Sequence, residues 1–171
     1  MTQRLTIATI LLFAFFIILT GCYTKPIIPV EGATKNSWNP DTFWAHPWGK
    51  SVVHHGIDIY SKKGTPVLSS TNGIVILCRP YGSGGNSIIV LSPFLKLHYY
   101  AHLDKFNTKM FDIVKQGEKI GTVGDTGNAK GKEPHLHYGI MTPIPYIWRW
   151  DNSELGWKKM FYLNPGDYIL N

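Results

Sequence analysis

Gly73-Ile74-Val75-Ile76-Leu77 and Ser87-Ile88-Ile89-Val90-Leu91, with the loop Gly82-Ser83-Gly84-Gly85-Asn86 between them, decide the fold class of this chain. Each run is rich in β-branched residues and bounded by turn residues, which reads as a strand. The pattern extends outward in both directions. Upstream, Gly64-Thr65-Pro66-Val67-Leu68 predicts a strand joined to the first run by Ser69-Ser70-Thr71-Asn72. Downstream, Leu97-His98-Tyr99-Tyr100-Ala101-His102 predicts an aromatic strand, Ile113 to Gly124 a turn-strand unit, and His135 to Met141 a late strand. No stretch in this region sustains a helical period, so the expected class is all-β, a sheet or sandwich. Residues 143–162, with Pro143-Ile144-Pro145-Tyr146-Ile147-Trp148-Arg149-Trp150, stand apart as either a surface excursion beside a groove or an edge flap completing the core.

The 171 residues are 44% hydrophobic and 16% charged, enough for one globular domain. The first residues read differently. Arg4 precedes an uncharged apolar run from Leu5 to Leu19, short for a permanent span and fitting a secretory signal peptide over residues 1–21. Leu19-Thr20-Gly21-Cys22 resembles the bacterial lipobox, which makes Cys22 the expected lipidation site and the first mature residue. Acyl chains there would hold the protein on a membrane. Tyr23, rather than Asp, follows, which leans toward the outer membrane with the domain facing the periplasm. Residues 22–42, rich in Pro, Lys, Asn and Thr, read as the lipidated N-terminus and a flexible tether, and the domain is expected over residues 43–171.

Removing residues 1–21 takes away Arg4 and no acidic residue, so 17 basic side chains fall to 16 against 11 acidic ones. A basic exported surface suits an anionic polymer or lipid headgroups. The export signal and the lack of an arginine cluster argue against nucleic acid as a partner. Cys78, after Gly73-Ile74-Val75-Ile76-Leu77, reads as a small buried hydrophobe rather than a nucleophile.

Chemistry concentrates in three segments: His54-His55-Gly56-Ile57-Asp58, Tyr100-Ala101-His102-Leu103 and Pro134-His135-Leu136-His137-Tyr138. They hold five of the seven histidines, and imidazole with carboxylate suits a divalent ion such as zinc. On a strand, His135 and His137 project to one face with Cα atoms roughly 6.6 Å apart, so one can bind an ion while the other stands beside it. His54 and Asp58 would be roughly 13 Å apart on an extended strand, so the chain is expected to bend at Gly56. His46, His55 and His98 are read as bystanders. No H-E-x-x-H helix signature and no G-x-S-x-G elbow is present, and Gly121 to Gly127 lacks the Gly-Lys-Ser/Thr ending of a phosphate loop.

These segments, with Gly64-Thr65-Pro66-Val67, Asn72-Gly73-Ile74-Val75, Gly117-Glu118-Lys119-Ile120-Gly121 and Gly124-Asp125-Thr126-Gly127, resemble in order the lysostaphin/LytM-type zinc metallopeptidases, which cut peptide cross-links of bacterial peptidoglycan. The resemblance runs from about Trp44 to Met141. It implies an antiparallel β fold with a groove over the sheet, zinc ligands at His54, Asp58 and His137, and His102 and His135 as catalytic groups. One of these two would take a proton from water and the other would stabilise the oxyanion. Three protein ligands leave zinc an open position for a water whose pKa falls toward 7. The chain departs from the pattern in two places. Trp44-Ala45-His46-Pro47 stands where many relatives carry Arg-x-His-Pro, and no Tyr lies between Phe43 and His54, where Trp48 could fill the space.

The expected function is therefore a zinc endopeptidase acting on peptidoglycan stem-peptide cross-links, at the D-alanyl–diaminopimelate bond in a Gram-negative setting. The alternative within the family is a non-catalytic LytM-like activator of a wall amidase, which typically lacks zinc ligands that this chain keeps. A lipoyl-type carrier, suggested by the Val114-Lys115-Gln116-Gly117-Glu118 turn, leaves the histidines unexplained.

Overall fold

The computed structural model describes residues 24–170; the signal segment 1–21 and Cys22 lie outside the described residues. The strands are β1 Ile57–Tyr60, β2 Pro66–Leu68, β3 Gly73–Pro80, β4 Asn86–Leu91, β5 Leu97–Ala101, β6 Leu103–Phe106, β7 Ile113–Val114, β8 Lys119–Val123, β9 His135–Met141 and β10 Tyr162–Leu163. One short helix, α1 Pro165–Leu170, follows them. All pairings between these strands are antiparallel. The larger sheet runs β1-β9-β5-β4-β3-β7, with β10 also on β9, and the smaller runs β2-β8-β6. Ser69 to Asn72 therefore carries the chain from one sheet to the other.

The core follows from strand alternation. Register places Ile57, Tyr138, Tyr100 and Ile88 in one row across β1, β9, β5 and β4. Leu163, Ile140, His98, Val90 and Val75 form a second row. Every side chain of both rows is buried, and Val67, Leu103, Ile120 and Val123 of the smaller sheet belong to the same cluster. Period-two alternation then turns Asp58, Tyr60, His135, His137, Gly139, Tyr99 and Ala101 toward the other face. Leu136, opposite Ile59 and fully buried, sits on the core side between the two histidines. Leu136→Ala is expected to cost about 2–5 kcal/mol in urea unfolding; a loss under about 1 kcal/mol would contradict this packing.

His98 is the one imidazole built into the core rows. Its Nδ1 lies 2.7 Å from the Tyr138 hydroxyl and its Nε2 3.1 Å from Ser92 Oγ. Burial, with Lys96 adding to it, pushes its pKa down to about 3 from 6.5. The stabilisation from keeping it neutral is thus complete above pH 6.5 and is lost as pH falls toward 3. Between pH 7 and 5 the wild type is expected to lose about 2 kcal/mol more stability than His98→Gln. Equal losses in parallel urea titrations would remove this role.

Two expectations change. From Ile27 onward the chain is not a tether: Ile27 N donates to Ser70 O at 3.0 Å, Leu68 N to Pro29 O at 3.0 Å and Glu31 N to Pro66 O at 3.1 Å. Val30 bridges Val67, and Val30 and Trp38 are buried. This segment covers the open edge of β2, which would otherwise present unpaired backbone groups. The domain accordingly begins well before residue 43. The second change is α1, too short to show a period, which starts with proline at its first position and tucks Ile169 against the cluster.

Residues 143–162 combine both expected roles. Ile147, Trp148 and Trp150 are exposed and Tyr162 reaches the groove, whereas Tyr146, stacked on Trp148 at 5.0 Å, packs against the core cluster.

Candidate metal centre and active-site groove

Asp58 and His137 are direct partners across β1 and β9, so their side chains leave the sheet side by side. His54 reaches the same point because the chain before β1 bends back at Gly56. The bend is as expected, but the reason for glycine differs. Its φ is not in the left-handed region; instead a Cβ there would lie 2.4 Å from Tyr138 O and 3.0 Å from the His137 ring. Close approach of backbone to a functional ring, rather than an unusual dihedral, requires the missing side chain.

His54 Nε2, Asp58 Oδ1 and His137 Nδ1 form a triangle with sides of 3.1, 2.9 and 3.0 Å. His54 Nδ1 donates to Thr42 O at 3.0 Å, which leaves a lone pair on Nε2 facing the other two atoms. Burial raises the Asp58 carboxyl, but the His137 and His54 imidazoles beside it outweigh that effect and hold the group well below the ordinary carboxylate range. Burial pushes the His137 imidazole down, against the opposing pull of Asp58. Three acceptor atoms, one of them anionic, thus converge on one point. That donor set fits a zinc ion, which takes imidazole nitrogen and carboxylate oxygen at about 2.0–2.2 Å.

Two further imidazoles stand beside this cluster. His135 Nδ1 donates to Glu133 O at 2.7 Å, and its Nε2 lies 4.0 Å from Asp58 Oδ2. His102 sits at the corner where β5 leaves the larger sheet and β6 enters the smaller one, with φ 65°. Its Nδ1 donates to Thr126 O at 2.9 Å, and burial, reinforced by His137 and His135, pushes its pKa down to about 4. The His102 and His135 rings meet edge to face at 5.0 Å. A backbone carbonyl takes the Nδ1 proton in both, which fixes the tautomer of the neutral ring with its lone pair on Nε2.

The cluster opens into a groove of ≈ 350 Å³ walled by Trp48, Tyr60, Tyr99, Met141 and Tyr162. Trp48 stacks on His54 at 4.2 Å and 19°, so it does line the space read for it. Tyr99 could have been found from its place two residues before Ala101 on the histidine-bearing face. Tyr162 carries no such sequence signal, because only the β10 pairing brings it to the groove. Of the bystanders, His46 is exposed and His98 is in the core. His55 lines the groove beside Tyr162, its pKa pushed down to about 4 by burial and then by Lys158, but it is outside the ligand triangle. Cys78 is half-buried with Sγ directed at Thr108 O, and burial pushes its thiol pKa up, so it is no activated nucleophile.

The model of peptidase family M23 matches residues 52–147. The chain is 35% identical over 114 residues to the peptidoglycan DD-endopeptidase ShyA of Vibrio cholerae, covering 66% of this chain and 26% of that one. It is 33% identical over 132 residues to the L-Ala–D-Glu endopeptidase of Bacillus subtilis, covering 67% and 40%. A crystal structure of a zinc-containing peptidase from Vibrio cholerae superposes with a TM-score of 0.58 at 31% identity, covering 70% of this chain and 37% of that one. This chain spans about a quarter to two-fifths of the length of those two sequence relatives. The matched segment runs from the residues before the bend at Gly56 to just beyond the groove-lining strand β9, and on it the chain belongs to peptidase family M23.

Proposed function

We propose that this chain is a zinc-dependent endopeptidase that hydrolyses peptide cross-links of bacterial peptidoglycan. The convergence of His54 Nε2, Asp58 Oδ1 and His137 Nδ1 to within 3.1 Å carries this reading. Zinc held by these three residues supplies a Lewis acid that polarises a peptide carbonyl and acidifies water. The chain's own residues do the rest. His135 Nε2, with the Asp58 carboxylate 4.0 Å away, is placed to accept the proton of the attacking water and to return it to the departing amine. His102, buried at its corner between β5 and β6, faces the same space with its Nε2 and is placed to accept a hydrogen bond from the attacking water and so to orient it. Tyr60, Tyr99 and Trp48 form the walls that exclude water and hold an extended peptide. Because His135 makes no side of the ligand triangle, His135→Ala is expected to keep zinc and to lose about 10²–10⁴-fold in cleavage rate. Loss of zinc in that variant would make His135 a ligand instead.

The bond proposed is D-alanyl–diaminopimelate, supported by the DD-endopeptidase name of ShyA. The test is digestion of purified sacculi followed by muropeptide separation. Cross-linked dimers falling as intact-stem monomers rise supports it. Fragments cut between L-Ala and D-Glu would assign the bond named for the Bacillus subtilis relative instead.

The protein is further proposed to act as a lipoprotein anchored through Cys22, at the outer membrane and facing the periplasm. Leu19-Thr20-Gly21-Cys22, followed by Tyr23, supports that placement. Cys22→Ser is the check: the precursor should remain unprocessed and take up no palmitate.

A further inference from the structure

β7 is the edge of the larger sheet farthest from β1, which carries Asp58. It pairs with β3 through Gly73–Val114 and Ile74–Ile113. This edge and the turn before it expose Ile113 (78%), Phe111 (71%), Met110 (49%) and Ile74 (43%). Large apolar side chains grouped on a surface mark a binding face. Lys109 and Lys115 stand exposed on either side of them in sequence, and Lys119 is exposed at the start of β8. The carboxylates on either side of β7 are engaged locally: Asp112 Oδ2 accepts from Lys109 N and Thr108 Oγ1, and Glu118 Oε2 accepts from Lys115 N. Apolar side chains flanked by lysine suit the headgroup layer of an anionic bilayer.

The N-terminal chain leaves the domain at this same edge. Gln116, two residues after β7, donates from Nε2 to the carbonyls of Lys25 and Ser70, while Ile27 N also reaches Ser70 O. Only three residues' length, about 10–11 Å fully extended, separates Lys25 from Cys22. Acyl chains on Cys22 would thus hold the bilayer against the β7 edge and leave little slack for any other face.

We propose that β7 and the turn before it, through Met110, Phe111 and Ile113 with their flanking lysines, dock on the bilayer that holds the lipid of Cys22. The inference rests on the lipoprotein reading. Strands spaced about 4.8 Å apart place β9 and β1 four and five steps from the docked edge, about 19–24 Å away. The sheet then stands on the membrane with its metal-ligand cluster turned toward the wall.

The test uses the full lipidated chain, extracted and reconstituted into phosphatidylethanolamine–phosphatidylglycerol vesicles with brominated acyl chains. The six native tryptophans lie between residues 38 and 157, and none is on β7. In Phe111→Trp, the added emission is expected to fall by about half or more in brominated vesicles, while wild-type emission barely changes. Adding Ile113→Glu should remove that quenching. Wild-type quenching without extra quenching in Phe111→Trp puts the tryptophan excursion on the bilayer and overturns the proposal. The mass of the N-terminal peptide separates the two readings. A lipidated Cys22 without quenching overturns docking and leaves the anchor, whereas an unmodified Cys22 removes the anchor and, with it, the docking proposed here.

Discussion

His137→Ala is expected to leave the protein folded, without stoichiometric zinc, and with cross-link cleavage reduced by at least about 10³-fold, since the Lewis acid contributes several kcal/mol. The substitution takes away one corner of the triangle, and His54 Nε2 and Asp58 Oδ1 alone do not make the three-ligand set of a catalytic zinc site. The side chain faces the groove while Leu136 and Tyr138 on either side face the core, so the β9 packing survives. Metal analysis, circular dichroism and a sacculus digestion on one preparation check all three statements. A variant that keeps one zinc per chain would remove His137 from the site. Zinc should also raise the melting temperature of the wild type and leave that of the variant unchanged.

Gly56→Ala is the second large effect, and it separates geometry from chemistry because no ligand is altered. The new methyl would meet Tyr138 O at 2.4 Å and the His137 ring at 3.0 Å. Tyr138 is held in the β1–β9 ladder opposite Ile57, so the carbonyl cannot retreat without breaking that pairing. The His137 ring and the bend must move instead. Overpacking of this kind costs about 1–3 kcal/mol, and a displaced ligand loses about 10–100-fold in zinc affinity. Gly131→Ala is the control, since a Cβ there meets nothing within 4 Å. At φ +79° it is expected to cost stability without changing zinc affinity. Equal zinc affinities for wild type and Gly56→Ala would show that the bend tolerates a side chain.

The histidine-bearing face was legible because alternation is a period that the residues themselves display: His135 and His137 fall on one face of β9 and Leu136 between them on the other. The bend at Gly56 was legible from the impossible reach of an extended chain. What orients the imidazoles was not. Thr42, Glu133 and Thr126 act through their carbonyl oxygens, which every residue type carries, so no side chain announces them. The corner at His102 is hidden for a related reason. Tyr100-Ala101-His102-Leu103 reads as continuous strand, although the chain changes sheets there. Residues 27–38 resembled a linker because Pro, Gly, Thr, Lys and Asn interrupt them and their apolar side chains follow no period. Val30 and Trp38 become core only through β2 and α1, partners far away in sequence.

Titration of the metal-free protein with zinc, following bound metal and cross-link cleavage together, tests the central claim most directly. Cleavage should rise in proportion to bound zinc, reach its plateau at one ion per chain, and stay at background throughout in His137→Ala. Full cleavage by the metal-free protein, or a fully loaded wild type that leaves dimeric muropeptides intact, would contradict it.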